Sequence, residues 1–367
     1  MKKINVYAML FIALLSLQSC EKDFDETSKT TTKNGKGFKI LSYSSPNSRG
    51  VVNNILSFDS PEEFEATVDS LEMVFDNFQT DFTNQYVNVS DDNLNQIVRD
   101  QNIDLEEPLS NFETSIAFTS LRNKINQEET TWLQNPNPDF DNCPQFHPVQ
   151  SHAERSLWND KGEIIIAGKI YKYDDERTKF ITIEDGDIEK LILINEGDMS
   201  IYSNSNVTIE NLNNGAAQPG ECIRNKTNNV PLVSQNGLDK MLIGNRLKSK
   251  SWEFGKHHMY ASTYTYAKVN GSWNGFVTNI YVGCVGDRYH GCTNTSPTTI
   301  NKTKRAKGVN FDFKRENAFS VKFGSVPTPN WCSMVSRHRA FDTANQGIFN
   351  FNYARMNYAG SPYITYE

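Results

Sequence analysis

The sequence predicts an α+β protein, in which a helix-rich N-terminal region with a small β-hairpin or sheet unit precedes an antiparallel β-sandwich-like C-terminal domain. Three observations predict this class. Apolar residues recur at helical spacing in the first third of the chain, a β-hairpin pattern follows near the middle, and alternating aromatic segments dominate the last third. A length of 367 residues suits two domains of ordinary size.

The composition describes a folded, acidic protein. Hydrophobic residues make up 37% of the chain, and 15 Tyr and 22 Phe residues supply material for a core. A formal net charge of −7 argues against nucleic acid as a partner, because nucleic-acid binders usually carry a basic stripe. A short basic run remains at Lys302, Lys304, Arg305 and Lys307, and we expect it to form a solvated loop.

The first helix is predicted from the segment "SFDSPEEFEATVDSLEMVFDNF". Ser60 can cap this helix, Pro61 suits its first turn, and Glu63 completes a capping box. Its apolar residues recur at helical spacing and are Phe64, Val68, Leu71, Phe75 and Phe78. We interpret this stripe as core rather than as a ligand site.

Two further helices are predicted before a proline-rich break. One runs from Asp91 to about Gln101, and the other from about Phe112 to Leu133. The helical pattern then ends at three prolines, which are Pro136, Pro138 and Pro144.

The segment "GEIIIAGKIYKYDD" is typical of a β-hairpin. Its strands would be Ile164–Ile166 and Ile170–Tyr173, joined by a turn at Gly168. We interpret "KFITIEDGD" and "LILIN" as further strands. The segment Asn204–Asn229 is rich in Asn, Gly and Pro, which predicts a long loop or an inter-domain linker.

Short aromatic segments bounded by turn residues fill the C-terminal part, among them "HMYASTYTYAKVN", "GSWNGFVTNIYVGC" and "GVNFDFK". Their spacing predicts an antiparallel sandwich or barrel. Three tyrosines of one strand share a side and, with two tryptophans, form a candidate binding face for sugars or peptides: Tyr260, Tyr264, Tyr266, Trp252 and Trp273. The competing interpretation is a strand face that is packed or interfacial.

The apolar N-terminal segment is interpreted as a secretory signal. Lys2 and Lys3 precede an apolar run over Val6–Leu17, which is too short to be a permanent membrane span. The sequence Leu17-Gln18-Ser19-Cys20 resembles the lipobox of bacterial lipoproteins. That resemblance implies cleavage before Cys20, which would then carry acyl chains that hold the protein on a membrane. The alternative is an ordinary signal peptide with an incidental cysteine.

The residues after Cys20 are polar and acidic. The run "EKDFDE" over residues 21–26 resembles the lysine-plus-acidic surface-export tag of Bacteroidota lipoproteins, although a phenylalanine interrupts it. The resemblance implies an outer-membrane lipoprotein exposed at the cell surface. The alternative is a polar tether that leaves the lipid in the inner leaflet of the outer membrane.

These boundaries predict four regions. Residues 1–19 form the lipoprotein signal peptide, 20–48 a flexible tether, 49–215 the helix-rich region with its hairpin unit, and 230–367 the sandwich-like domain.

Setting Cys20 aside leaves an odd number of cysteines, so at least one thiol stays free or pairs outside the chain. An envelope compartment permits disulfides. Cys284 with Cys292 is the first candidate pair, and Cys143 with Cys222 the second. Pairing of Cys292 with Cys332 competes with the first, and the sequence leaves the choice open.

The sequence predicts no metal site and no cofactor. In "CVGDRYHGC" the potential ligands lack a close pair such as C-x-x-C, which favours a disulfide loop over a metal site. The segment "CPQFHPVQSH" offers Cys143, His147 and His152, but its two prolines disrupt any helical presentation of the histidines.

A second resemblance covers about a fifth of the chain. The segments "FTSLRNKI" and "ERSLWNDKGEIIIAGKIYKY" are similar to a recurring arrangement in uncharacterised Bacteroidota cell-envelope lipoproteins. In that arrangement a helix with an F-x-SLR-like start precedes a hairpin with the pattern LN-x-x-GE-hydrophobic-x-GK-x-YK. The resemblance implies a lineage and no activity.

Together these features predict a lipid-anchored cell-envelope protein with a non-catalytic binding or surface-interaction role. Its partners would be the membrane, through the N-terminal lipid, and a glycan or protein ligand, but not nucleic acid. One alternative is an envelope hydrolase acting on carbohydrate or peptide, since a carboxylate pair can lie far apart in sequence. Another is a purely structural or adhesive surface component.

Overall fold

A computed structural model describes most of the chain from residue 32 onward. The described residues are 32–35, 37–45, 51–135, 143–149, 151–212, 227–228, 233–234, 240–253, 256–289, 298–308, 310–314, 330–341 and 352–357. Side chains are described for 37–45, 51–135, 143–149, 151–212 and 262–280. The predicted signal peptide lies outside the described residues.

A seven-stranded mixed sheet organises the N-terminal half, and its strands lie side by side in chain order. They are β1 (Thr32–Gly35), β2 (Phe38–Tyr43), β3 (Asn53–Phe58), β4 (Glu163–Ile166), β5 (Lys169–Tyr173), β6 (Lys179–Ile183) and β7 (Val207–Asn211). Neighbouring strands are antiparallel, except that β3 and β4 are parallel. Parallel neighbours need a long crossover, and the helices supply it.

The crossover from β3 to β4 contains five helices, and a sixth follows β6. They are α1 (Pro61–Gln85), α2 (Asp91–Asp100), α3 (Glu107–Ser115), α4 (Leu121–Trp132), α5 (His152–Arg155) and α6 (Ile188–Asn195). Short 3₁₀ turns cover Pro144–Phe146 and Met199–Ser203. Within the part of the chain that the structure describes, every helix is too short or too polar to cross a membrane.

The start of α1 confirms the predicted cap. The Ser60 side chain accepts a hydrogen bond from the backbone N–H of Glu63 at 3.2 Å. The Glu63 carboxylate accepts from the N–H of Asp59, one residue before the predicted target, at 3.1 Å. Ser60 therefore caps the helix as predicted, whereas Glu63 binds the residue before the cap, Asp59.

The predicted helix from Phe112 to Leu133 is wrong as a single element. The chain forms α3 and α4 instead, because Ala117 adopts a left-handed φ of 51° and ends the first. Ser120 then caps α4 by a capping box with Asn123. The apolar residues keep their helical spacing across this break, so the spacing alone does not predict that the helix ends there. The helix predicted from Asp91 is confirmed as α2.

The sheet is buried on both faces, which explains the uninterrupted apolar run of β4. One face packs against helices α1, α3, α4 and α5, and its side chains include Leu56, Phe58, Ile164, Ile166 and Tyr173. The other face packs against α6 and the 3₁₀ turn after it, with Ile55, Ile165, Ile170, Ile181 and Ile183. Successive side chains of a strand lie on opposite faces, so each core receives alternate residues.

The hairpin of β4 and β5 confirms its prediction. Ala167 and Gly168 form the two-residue turn with φ of 52° and 74°. Positive φ at both positions is the backbone of a type I′ turn, whose twist matches the strands. Gly186 lies against this turn, and a Cβ there would be 2.1 Å from the carbonyl oxygen of Gly168.

The predicted strand "LILIN" is wrong, because these residues belong to α6. Asp187 caps the helix by accepting from the N–H of Glu189 at 2.9 Å. Leu191, Ile192 and Ile194 are buried against the sheet. A short run of consecutive apolar residues has no period that separates a strand from a helix, so the packing surface decided.

The predicted tether over residues 20–48 is wrong where β1 and β2 lie. Phe38, Ile40 and Tyr43 are buried at 9%, 7% and 1% exposed. These residues join the sheet through antiparallel pairing of β2 with β3. The expectation of a loop or linker over Asn204–Asn229 is likewise wrong at Val207–Asn211, which form β7.

Two antiparallel sheets make up the C-terminal part. The first contains β8 (Thr227–Asn228), β9 (Val233–Ser234), β10 (Lys240–Glu253), β11 (Lys256–Val269), β12 (Ser272–Gly275) and β15 (Asn310–Lys314). The second has the order β14-β13-β16-β17, with β13 (Thr278–Tyr289), β14 (Thr298–Gly308), β16 (Asn330–Phe341) and β17 (Asn352–Asn357).

The fold class is therefore α+β, as predicted. The basic run from Lys302 to Lys307 is part of strand β14, which corrects its interpretation as a loop. A run of alternating charged and small residues fits an edge strand, where charge discourages pairing with other chains. The β-sandwich remains a prediction.

The approach of Gly186 to the hairpin turn predicts a large effect of one added methyl group. Gly186→Ala combines a left-handed backbone with a backbone clash, so it should lower the free energy of unfolding by about 2–4 kcal/mol. Gly197→Ala is the matched control, because its φ is also positive while its surroundings are open. It should cost about 1 kcal/mol. Equal urea midpoints for the two variants would contradict the close approach.

Candidate functional site

The carboxylate of Glu163 is buried at 0% exposed and gathers polar side chains from several elements. It accepts hydrogen bonds from the Tyr43 hydroxyl of β2 and from the amide of Asn159 at 2.8 Å. The Asn195 amide of α6 donates at 2.8 Å, and the Lys172 ammonium of β5 lies at 3.2 Å. One negative charge therefore joins the sheet to α6, and its pairing with a cation offsets its removal from water.

Asn159 shapes the turn that leads into β4. Its side-chain oxygen accepts from the N–H groups of Lys161 and Glu163, at 3.1 and 2.8 Å. Gly162 has a φ of 70°, and a Cβ there would be 3.3 Å from the carbonyl oxygen of Tyr173. Asn159, Gly162, Glu163 and Lys172 are the N, G, E and K positions of the motif by which the sequence resembles envelope lipoproteins. In this protein these residues have a structural role, and Asn159, Glu163 and Lys172 are buried.

Burial also controls the hydroxyl of Tyr43. Loss of solvent raises its pKa, and the neighbouring Glu163 carboxylate raises it further. The tyrosine therefore stays protonated and acts as a hydrogen-bond donor throughout the physiological range.

A second buried network lies in the helical layer around Arg122, whose side chain is 3% exposed. Its guanidinium binds Glu113 of α3 with two parallel hydrogen bonds, the Nε bond measuring 2.9 Å. A further nitrogen donates to Glu106, which also contacts Nδ1 of His152 at 2.8 Å and the amide of Asn126 at 3.0 Å. The network ties α3, α4 and α5 together.

The Glu106 carboxylate remains ionised despite its burial. Desolvation alone would raise its pKa, but His152, Arg122 and Asn126 together lower it well below its usual range. In the same way, the pKa of Arg122 rises because its bonds to two carboxylates outweigh desolvation. Each of these two groups therefore stabilises the ionised form of the other.

The buried guanidinium of Arg155 holds residues 143–149, which precede α5. It is 0% exposed and donates to the carbonyl oxygens of Val149 and Gln145, at 2.9 and 2.8 Å, and to the side-chain oxygen of Gln145. Within residues 143–149 the regular structure is the short 3₁₀ turn Pro144–Phe146. Side-chain donation to the carbonyls of this segment therefore fixes its path.

The candidate aromatic face divides between buried and undescribed side chains. Tyr264 and Tyr266 are 0% and 2% exposed and pack with Phe146 and Trp132 of the helical region. The Tyr266 hydroxyl donates to Glu129 of α4. In the described conformation these two rings therefore pack against the N-terminal half of the molecule.

The structure describes the other members of that face in less detail. Trp273 is partly buried beside the same cluster. Tyr260 lies in β11 and Trp252 in β10, and their side chains lie outside those that the structure describes. That these five residues form a binding face stays a prediction.

The seam between Tyr266 and α4 encloses two further ionisable groups. Burial raises the pKa of Glu129, and this outweighs the bonds that it accepts from Tyr266 and Gln145. Burial, together with the Glu129 charge, raises the pKa of the Cys143 thiol to about 12. Cys143 is a free, buried thiol, and a thiol that stays protonated is a poor nucleophile and metal ligand.

Of the remaining cysteine predictions, only the one that involves Cys143 is tested. Cys222, Cys292 and the lipidation candidate Cys20 lie outside the described residues. Cys284 lies in β13, and its side chain is likewise not described. The pairing of Cys284 with Cys292 therefore stays a prediction, whereas Cys143 is a free thiol in the structure and does not form the predicted pair with Cys222.

A polar clamp that sequence reasoning missed joins α2 to the start of β13. The amide of Asn95 donates to the carbonyl of Val277 at 2.9 Å and accepts from its N–H at 2.7 Å. Thr278 donates to Asp91 at 2.8 Å. An asparagine side chain can donate to a backbone carbonyl and accept from a backbone N–H, as a neighbouring strand does. The sequence around Asn95 does not indicate which distant residue is its partner.

A small depression lies where the hairpin meets α4. Its lining includes Lys124, Glu128, Asp175 and Arg177. Lys124 pairs with Asp175 at 3.2 Å, and Arg177 pairs with Glu128. The charges at this depression are thus engaged with one another.

The histidines of the segment "CPQFHPVQSH" are engaged separately. Nδ1 of His147 accepts from the N–H of Val149 at 3.0 Å, while His152 contacts Glu106. Within the described residues, no group of three or more His, Cys, Asp or Glu side chains is arranged to hold a metal ion.

The burial of Glu163 predicts a severe cost for removing its cation. Lys172→Met leaves an uncompensated buried carboxylate, which should lower the free energy of unfolding by about 3–5 kcal/mol. Lys39→Met is the control, because Lys39 and Asp59 form an ion pair with side chains 43% and 65% exposed. That change should cost about 0–1 kcal/mol. Comparable losses in urea unfolding would refute the structural role of the Glu163 network.

The lowered pKa of Glu106 predicts a specific pH dependence. A carboxylate whose pKa is lower in the folded state stabilises the fold above its unfolded pKa of about 4.3, and this stability is lost as pH falls below that value. Glu106→Gln should therefore be less stable at pH 7 and show a shallower loss of stability under acid. Its exposed neighbour supplies the control Glu107→Gln, which should keep the parent profile. Parallel acid-unfolding curves for Glu106→Gln and the parent would contradict this assignment.

Comparison with known proteins adds little to this description. No family model and no curated protein matches the chain. Among solved structures, it is similar to a DUF4848 family protein from Bacteroides thetaiotaomicron VPI-5482, with 12% sequence identity and a TM-score of 0.17 over 82% of this chain and 96% of that one. A TM-score of this size carries no argument about fold or function.

Proposed function

We propose that this protein is a lipid-anchored component of the bacterial cell envelope with a non-catalytic binding role. Cys20 is its lipid attachment point, and the acidic residues that follow direct it to the outer surface of the outer membrane. The Bacteroidota-type sequence motifs support this location. The two C-terminal antiparallel sheets form a β-sandwich that presents the binding surface.

The non-catalytic role is supported by the contacts that the buried, clustered ionisable groups make among the described residues. Glu163, Glu106 and Glu113 are buried carboxylates held by Lys172 and Arg122. Such charges fix the relative positions of strands and helices. Each of these carboxylates is held in position by its own cationic partner.

The hydrolase alternative requires two carboxylates open to the same substrate. A glycosidase places its acid and its base or nucleophile on either side of the bond that is cleaved. Glu106 and Glu113 approach one another through Arg122, but both are buried within the helical layer, at 9% and 3% exposed. This carboxylate pair therefore serves packing, and the binding role is favoured.

The position of the first strand supports the anchor. Strand β1 begins at Thr32, so residues 21–31 separate Cys20 from the sheet. A segment of this length and polar composition is suited to a short tether. The folded body would then lie close to the membrane surface rather than at the end of a long stalk.

The anchor proposal predicts the behaviour of one substitution in cells. Cys20→Ala should move the protein from the membrane fraction to the soluble envelope fraction and abolish its metabolic labelling with palmitate, because the acylated sulfur is lost. Ser16→Ala, in the apolar run before the lipobox, is the control and should leave both properties unchanged.

Protease treatment of intact cells tests the surface location separately. Digestion of the parent protein in intact cells supports surface exposure, whereas protection until the outer membrane is opened places the protein on its inner leaflet. Continued membrane retention of Cys20→Ala would show that the lipobox assignment is wrong.

A further inference from the structure

An amine and a primary amide meet at the buried carboxylate of Glu163. The ammonium of Lys172, on β5, lies 3.2 Å from Oε1 of this carboxylate. The amide nitrogen of Asn195, at the end of α6, donates to the same oxygen at 2.8 Å. Because both nitrogens contact one oxygen, they are no more than about 6 Å apart. The structure thus places an amine, a carboxylate and an amide side by side.

The carboxylate determines which way the Asn195 amide faces. An ionised carboxylate only accepts hydrogen bonds, so the NH₂ group of Asn195 is turned toward Glu163. The Tyr43 hydroxyl donates to the other carboxylate oxygen, and its own oxygen accepts from the same NH₂ group at 3.3 Å. The nitrogen of this amide therefore lies against a group that can carry a proton to it.

Burial limits the access of water to these groups. Glu163 is 0% exposed and Lys172 is 6% exposed, while Asn195 is half-buried. The Lys172 ammonium also donates to the carbonyl oxygen of Lys161 at 3.0 Å, which directs the end of its side chain. A buried ion pair is costly because each charge has lost its hydration, so a reaction that removes both charges is favoured here.

We propose that Lys172 and Asn195 form an isopeptide bond, which is an amide between two side chains, with Glu163 as the proton carrier. Glu163 takes one proton from the Lys172 ammonium, and the lone pair of Nζ attacks Cγ of Asn195. The second Nζ proton is passed to Nδ2, the Cγ–Nδ2 bond breaks, and this nitrogen leaves as ammonia. The first proton stays on Glu163. An ion pair and a primary amide thus become a neutral carboxylic acid, a secondary amide and NH₃.

Each reactant has the chemistry that its step needs. A lysine amine is a nucleophile once it has lost its proton, and a carboxylate within hydrogen-bond distance is a suitable base. Attack requires Nζ and Cγ to approach to about 3–3.5 Å, and the flexible four-carbon stem of Lys172 supplies this movement. Because the fold holds both groups, the reaction occurs within one molecule rather than through an encounter in solution.

Asn159 is the other amide at Glu163, and its contacts favour a different role. Its nitrogen donates to Oε2, which is not the oxygen that Lys172 contacts, and to the carbonyl oxygen of Asn54 at 3.1 Å. Its side-chain oxygen accepts from two N–H groups of the turn before β4. Movement of Asn159 would break this turn, whereas Asn195 already shares one oxygen with Lys172.

The bond would join the sheet to the helix that covers its second face. Lys172 lies on β5 and Asn195 on α6, and strand β6 lies between them in the chain. The cross-link closes this segment into a covalent loop, which lowers the conformational entropy of the unfolded chain. The reaction occurs once, on the chain itself. It is therefore separate from the proposed function and compatible with a non-catalytic binding role.

Peptide mapping of the detergent-solubilised, reduced full chain tests the proposal. Trypsin does not cleave after an acylated lysine, because the positive charge that it recognises is lost. Peptide 170–177, uncleaved after Lys172, should therefore be joined to peptide 191–224. The joined product should be lighter than the two separate peptides by one ammonia. Normal cleavage after Lys172, together with an unmodified peptide 191–224, would overturn the proposal.

Three substitutions separate the roles of the groups. Lys172→Arg keeps the cation but removes the amine, so it should restore cleavage and the full peptide masses. Glu163→Gln keeps both reactants and removes the base, so it should also prevent the bond. Lys190→Arg is the matched control on α6, where it keeps a cation beside Asp185, and the joined product should persist. Circular dichroism shows whether each variant is folded, and the parent map decides the proposal even where a variant does not fold.

Three other products would overturn the assignment of the bond. Loss of water instead of ammonia means a direct bond between Lys172 and Glu163. A joined product that contains peptide 156–161 places the bond at Asn159. Loss of ammonia confined to peptide 191–224, with normal cleavage after Lys172 and opening in mild alkali, means a succinimide at an asparagine.

Discussion

The rest of the N-terminal half depends on the buried carboxylate of Glu163. Tyr43, Asn159, Lys172 and Asn195 reach it from two strands, a turn and a helix. A charge without solvent is tolerated only when each of its acceptor sites is used, so the group is satisfied in one arrangement of these elements. Hydrophobic burial on the two faces of the sheet supplies most of the stability, and this carboxylate selects the arrangement.

The helical layer uses the same principle a second time. Arg122 forms an ion pair with Glu106, and His152 contacts the same carboxylate, so polar contacts join α3, α4 and α5. The C-terminal part is then joined to these helices by polar contacts, at Asn95 with Val277 and at Glu129 with Tyr266. Directional bonds between the two halves fix their relative placement more strictly than area of contact alone does.

Charge is distributed differently in the two halves of the chain. The networks around Glu163 and Arg122 in the N-terminal half are buried, and their charges are paired. The basic residues of β14 and β16 are instead divided between the two faces of their sheet, since Arg305 and Arg339 pair with Tyr281 while Lys304 pairs with Val282.

The sequence by itself determined the local features: the helix starts at Ser60 and Asp91, the turn at Gly168, and the α+β class. Caps and turns depend on residues within a few positions of one another, so their chemistry can be read directly. Much of the candidate site could not be predicted. The partners of Glu163 and Asn95, the burial of Tyr264 and Tyr266 and the helix at "LILIN" were decided by tertiary structure. An apolar run or a lone polar side chain is compatible with several partners, and contacts between distant segments select among them.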